Sequence, residues 1–274
     1  MKNINFSISN LAWDISYESE VIKILNNSLI SGVEISLRKY FDHLENLTTD
    51  QILSLKNYWI ENDLKISSLQ SLLFKREDLS IFASGVGREQ VIEYLNSIYK
   101  IAKLLQVKPM VFGSPKNRKK GQLTRKRAFD SATEFFSDLI SEWDGNGPYI
   151  AFEANPSVYG CDFIVNNLEA IEFVNSVNSP NLRWHLDYGC ALLAGENPTL
   201  LLMNSKKLPS HIHISEKNLG PFIKKNLKNY IDFLIALQVC KYNGVVTFEM
   251  LPHQNLNSFV ENIKLIDLMI LESH

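Results

Sequence analysis

Leu182-Arg183-Trp184-His185-Leu186-Asp187 and, after a connection over residues 188–210, His211-Ile212-His213-Ile214-Ser215 decide the fold class of this chain. Each is a short run in which apolar and polar residues alternate, the period-two pattern of a strand with two unlike faces. Working outward, similar runs stand at Tyr149–Glu153 and Val245–Glu249, and further out near Ile4–Ser9, Val33–Ser36, Ile66–Gln70 and Met110–Gly113. Their starts lie 29 to 44 residues apart, close to the length of one strand–helix unit.

Amphipathic stretches fill the gaps. In Arg88–Gln106, Val91, Leu95, Ile98, Ala102 and Leu105 recur at three- and four-residue steps, one face of a helix. Glu18–Leu29, Asp50–Glu61, Arg125–Trp143, Leu168–Val177, Leu227–Val239 and Leu256–Leu271 read the same way, with Thr49-Asp50 and Asn166-Asn167 as start signals. Cys190–Ser205 carries Gly195 and Pro198, so only short helical pieces are expected there. Eight such alternations without a linker predict a single-domain (β/α)8 TIM barrel over residues 1–274. A doubly wound open sheet is the other option, but no GxGxxG or GxxxxGK[ST] opens a strand–helix unit.

A hydrophobic share of 45% with 21% charged residues excludes disorder. A net charge of −2 gives no general attraction to nucleic acid or anionic membrane, which leaves small molecules as the expected partners. Three cysteines, Cys161, Cys190 and Cys240, make no disulfide framework and suit a reducing compartment. The opening MKNINFSISNLAWD lacks the apolar run of a signal peptide, and no stretch is apolar for about 18 residues. A cytoplasmic location is therefore expected.

Active sites of such barrels form at the C-terminal strand ends, and the last four strands end in Glu153, Asp187, His213 and Glu249. Three carboxylates and an imidazole at one mouth would repel and desolvate one another. One divalent cation (Mn, Mg, Co or Zn) resolves this, since oxygen ligands plus one imidazole suit such ions. The other reading is a set of solvated rim residues. His185 and His211 lie two residues lower on the same faces, either as hydrogen-bonded core histidines or as groups orienting the ligands. Asn10, Glu34, Gln70 and Ser114 are candidate substrate contacts and Trp13 a candidate apolar wall; each has a packing role as its alternative. Seven basic residues fall within Lys116–Arg127. Lys116 and Arg118 could attract an anionic group such as phosphate, carboxylate or nucleotide diphosphate, unless the run is a solvated helix start. Glu216, His185 and Cys190 complete the substrate-binding candidates.

These motifs, with Ser7-Ile8-Ser9-Asn10-Leu11-Ala12-Trp13, Gly32-Val33-Glu34-Ile35, Ser68-Leu69-Gln70 and Val111-Phe112-Gly113-Ser114-Pro115, resemble the xylose-isomerase-like barrel superfamily. The resemblance spans nearly the whole chain and is strongest for its sugar phosphate isomerase/epimerase and ketose 3-epimerase members. It implies that Glu153, Asp187, His213 and Glu249 hold the metal and that Glu153 and Glu249 are the acid/base pair. The implied reaction moves a proton through a metal-stabilised enediolate: return to the same carbon epimerises, return to its neighbour isomerises. The implied partner is a carbohydrate, and a homodimer or homotetramer fits the expectation. Many relatives carry His three residues after the strand-six Asp, where this chain has Cys190. The alternatives are a metal-dependent dehydratase of a sugar acid or cyclitol, a sugar-binding barrel without activity, and a repair nuclease. The last needs more histidines than the six present.

Overall fold

The structure, a computed structural model, describes residues 4–274. Eight parallel strands close in chain order: β1 (Asn5–Ser9), β2 (Gly32–Ser36), β3 (Lys65–Gln70), β4 (Pro109–Phe112), β5 (Tyr149–Glu153), β6 (Leu182–Asp187), β7 (His211–Ser215) and β8 (Val245–Glu249), with β8 pairing back onto β1. This is the single (β/α)8 barrel that the spacing of the apolar runs predicts. Around it lie α1 (Glu18–Leu25), α2 (Thr49–Glu61), α3 (Val86–Leu105), α4 (Arg125–Ile140), α5 (Asn167–Val177), α6 (Tyr188–Leu193), α7 (Pro198–Asn204), α8 (Leu227–Val239) and α9 (Leu256–Glu272). No helix among the described residues is long and apolar enough to cross a membrane.

Strand residues facing outward (Ile8, Ile35, Leu69, Phe112, Phe152, Leu186, Ile212, Phe248) are buried against the helices in one continuous core. In α3 the predicted stripe of Val91, Leu95, Ile98, Ala102 and Leu105 forms the buried face. Three helix boundaries differ from the periodicity, each through side-chain bonding to nearby backbone. After α1, Asn27 and Ser28 donate to the carbonyls of Lys23 and Leu25 and end the helix four residues early. After α4, Ser141 bonds the Asp138 carbonyl and Trp143 turns away to donate to Asn96. The cap of α2 is Thr48, one residue before the expected pair, closed by Gln51 in a reciprocal capping box. The weak segment after β6 forms two short helices, α6 and α7, as its Gly and Pro foretell.

The inside of the barrel is unusual in being polar. Ser7, Ser9, Glu34, Ser68, His185, His211 and Thr247 are all fully buried there, where branched apolar residues commonly fill such barrels. Register sets the height of the mouth residues. Glu153 pairs with His185, Asp187 with His213 and Ser215 with Glu249. The ladder thus steps by two residues between β5 and β6 and again between β7 and β8. Strand tilt in a sheared barrel converts those steps into a common height.

Candidate active site

The C-terminal mouth encloses a cavity of about 240 Å³ lined by Gln70, Ser71, Val111, Gly113, Ser114, Pro115, Glu153, Asn155, Tyr159, Cys190, His213, Leu219 and Glu249. A larger groove of about 890 Å³ lies on the outer surface between α5 and α7 and holds none of the strand-end groups. The ionisable strand ends therefore share the smaller space.

Four strands deliver the ionisable groups. Asp187 ends β6 and caps α6: its Oδ1 accepts the Cys190 N–H at 2.5 Å, and both its oxygens accept from Ser215 Oγ at 3.0 Å. Gly189 makes room for that bond, since a Cβ there would lie 2.4 Å from Ser215 Oγ. His213 turns Nδ1 towards Glu249 Oε2 (3.2 Å) and Asp187 Oδ2 (3.8 Å) without forming a hydrogen bond to either. Its Nε2 lies 2.9 Å from Glu34 Oε1. Glu153 comes from β5 opposite Gly113, where a Cβ would sit 2.2 Å from Glu153 Oε2. Only glycine lets the carboxylate stand there.

Asp187, His213 and Glu249 offer donor atoms that all lie within 4.8 Å of one another; Glu153 belongs to a second such trio with Asp187 and Cys190. The expected four ligands thus arrive as two overlapping groups sharing Asp187. The residues fit a divalent cation on structural grounds, because the buried His213 Nδ1 is left without a hydrogen-bond partner while facing two carboxylates. A buried imidazole nitrogen facing two carboxylates is costly unless a proton or a cation stands between them.

Electrostatics agree. Burial, then the Asp187 charge, pushes the Glu153 carboxyl up to about 8, and burial with the Glu249 charge raises Asp187 to about 6. Burial works against a charged His213, but Glu34 and Glu249 outweigh it and hold the imidazole well above its ordinary range. Burial, then Asp187 and Glu153, drives the Cys190 thiol well up. Glu34 behaves oppositely: burial opposes its charge, yet His213 and His211 hold it below the usual carboxylate range.

The remaining candidates divide sharply. Gln70, Ser114 and Cys190 line the cavity. Gln70, with its amide turned to satisfy its neighbours, donates to Glu249 Oε1 and Glu34 Oε1 at 2.8 Å each and accepts from Ser9. Glu34 is not at the mouth. It is fully buried beneath it, taking bonds from His211 Nε2 (2.9 Å) and Ser68 Oγ (2.7 Å), so it supports His213 rather than meeting substrate. His185 is likewise buried under His213, ring centroids 4.3 Å apart, and burial holds it well below its ordinary value. Asn10 is spent on the backbone of Ser36 (2.8 Å from N–H to Oδ1). Trp13 is no wall of the cavity: it packs edge-on to Trp59 and Phe259 and donates to Glu18. Glu216 accepts from Asn226 and Tyr230 at the start of α8.

The basic run does not reach the cavity either. Lys116 is exposed and paired with Glu77 at 2.5 Å. Arg118 is fully buried, donating to the Glu153 carbonyl (2.8 Å) and lying 5.0 Å over the Phe152 ring. Ser71, Asn155, Tyr159 and Leu219 are lining residues that sequence reasoning passed over. Asn155 lies two residues beyond Glu153, off the end of β5, and its Oδ1 is buried without a partner. Leu219 follows Asn218, both at positive φ, a turn that alternating patterns do not signal.

Comparison with known proteins bears on the fold. No curated protein matches the sequence. Among solved structures, the chain is similar to D-psicose 3-epimerase with D-tagatose from Clostridium cellulolyticum H10 (15% identity, TM-score 0.73, covering 98% of this chain and 96% of that one). It is similar also to the probable 3-DHS dehydratase AsbF from Bacillus anthracis (14%, 0.70, 96% and 98%). A third is the IolI protein with a binding zinc atom (16%, 0.67, 98% and 98%). At these identities the likeness shows the fold. The family model described as xylose isomerase-like TIM barrel matches residues 30–268, and the chain belongs to that family.

Proposed function

We propose that the protein is a divalent-metal-dependent isomerase or epimerase of a small, uncharged keto-sugar. The observation that carries this reading is the pair Glu153 and Glu249 facing one cavity from β5 and β8, with Asp187 and His213 between them. A cation held by Asp187, His213 and Glu249, with Glu153 beside it, would supply Lewis acidity to the charge developing on the substrate oxygens. Glu153, held protonated near neutral pH, is suited to give a proton. Glu249, fixed by the Gln70 amide, is suited to take one. Return of the proton from the opposite glutamate inverts the carbon, and return to its neighbour moves the carbonyl. Asn155, Ser114 and Tyr159 offer hydrogen bonds to hydroxyls.

The cavity volume favours a monosaccharide. It is below the roughly 300–1,000 Å³ usual for drug-sized ligands, and among the described residues no Lys or Arg lines it. Similarity in fold to the epimerase named above supports the reading. Dehydration on the same groups is the second reading, favoured by the similar fold of the dehydratase.

The test is exchange of substrate carbon-bound hydrogen in D2O across a panel of ketoses with Mn²⁺ or Co²⁺ present. Exchange with a changed stereocentre or carbonyl position is expected. Loss of water from a sugar acid would transfer the assignment to the lyase, and no turnover of any panel member by well-folded, metal-loaded protein would overturn both.

A further inference from the structure

Cys190 sits inside the candidate centre and is not accounted for by acid–base chemistry. Its Sγ lies 3.7 Å from Glu153 Oε1, and one donor atom each from Cys190, Glu153 and Asp187 fall within 4.8 Å of one another. Donors on one ion, at roughly 2.1 Å for oxygen and 2.3 Å for sulfur, are separated by at most about 4.4 Å, so only a small side-chain adjustment is required. The chain presents Cys190 rigidly. It is the third residue of α6, and its backbone N–H is bonded to Asp187 Oδ1. An independent observation bears on the adjoining trio that shares Asp187: the buried His213 Nδ1, without a hydrogen-bond partner, lies 3.2 Å from Glu249 Oε2 and 3.8 Å from Asp187 Oδ2. The other two cysteines lie elsewhere, Cys161 donating to the Phe163 carbonyl and Cys240 following α8.

We infer that Cys190 is a sulfur ligand of the cation held at Asp187, on its Glu153 side, and that this donor turns the centre towards Zn²⁺ or Co²⁺ and away from Mn²⁺ or Mg²⁺. The inference rests on the metal-dependent reading above and adds the class of metal. Thiolate favours the softer ions, whereas an all-oxygen set with one imidazole accommodates the harder ones. The charge is not prohibitive. Three carboxylates and one thiolate around a divalent ion carry no more negative charge than the four thiolates of a structural zinc site.

The experiment titrates Co²⁺ into metal-free protein and records the absorption spectrum. A strong near-ultraviolet sulfur-to-cobalt charge-transfer band beside the weak visible cobalt bands is expected. In Cys190→Ser the visible bands should persist and the charge-transfer band vanish, while Cys161→Ser and Cys240→Ser keep both. Competition should show the preference for Zn²⁺ over Mn²⁺ falling on the order of tenfold in Cys190→Ser. Visible bands without charge transfer in the wild-type protein would overturn the sulfur ligand and leave the metal centre standing. Absence of any bound cobalt would overturn both. A charge-transfer band that survives in Cys190→Ser would also overturn the assignment.

Discussion

The two halves of the barrel have strands of similar length but end in different chemistry. β5 to β8 bring Glu153, Asp187, His213 and Glu249 to the mouth, whereas the ends of β3 and β4 bring an amide, Gln70, and a glycine, Gly113. The difference teaches that a crowded charged half depends on an uncharged one. Gly113 leaves the space that Glu153 occupies, and Gln70 bridges Glu249 to Glu34. Glu34 alone breaks the division. It starts on β2, yet its carboxylate serves His211 and His213 across the barrel interior.

The largest expected effect breaks the acid–base half. Glu153→Gln or Glu249→Gln should each lower turnover by about 10²–10⁴-fold with folding retained, as measured by D2O exchange and far-UV circular dichroism. Wild-type rates in both variants would remove the two-glutamate mechanism. A smaller effect sharpens the dependence of one half on the other: Glu34→Gln should weaken metal affinity by about 10–100-fold without touching the cavity, read by competition with a chromophoric chelator.

Third comes pH. Between 4.5 and about 8 the folded metal-free chain binds a proton at Glu153 that the unfolded chain has lost, so stability falls as pH rises through that window. His213, raised in the fold, acts in the same direction. Below about pH 6.5 the lowered His185 and His211 act in the opposite direction, so the fall shows between about pH 6.5 and 8. There the stability of metal-free protein should drop by up to about 1.4 kcal/mol per pH unit for each raised group, read from its melting temperature. Glu153→Gln should flatten the profile, and saturating metal should protect most at the alkaline end. An unchanged profile in Glu153→Gln would show that its carboxyl is not the group concerned. The smallest expected effect is none: Lys116→Ala should leave kcat/KM and its salt dependence unchanged, because that side chain pairs with Glu77 at the surface.

Strand positions were legible to within a residue because strands with an apolar outer face and a polar inner one write themselves as short alternating runs between helical stretches. Glu153, Asp187, His213 and Glu249 were legible as a converging set because each stands at or two residues before the end of such a run, although their division into two trios around Asp187 depends on side-chain directions. The supporting residues were harder to read. Glu34 ends its run only two residues from the strand tip, and nothing local distinguishes an inward-pointing carboxylate from a mouth carboxylate. Arg118 lies in a basic run whose neighbours are solvated, so composition suggested an anion site. Its burial over Phe152 follows from how the chain after β4 folds back onto β5. Trp13 and Asn10 looked like mouth residues by position, but a tertiary aromatic cluster and a backbone clamp claim them.

The stepped ladder between β5 and β6 carries a consequence for how such a chain can vary. Side chains alternate sides at every residue, so deleting one position within Leu182–Asp187 would swing Asp187 out to the helices and Trp184 into the lumen. Tip residues can be exchanged one at a time and strand lengths cannot. An insertion keeps the register only if it falls in a connection, whereas a substitution at a strand tip keeps it in place.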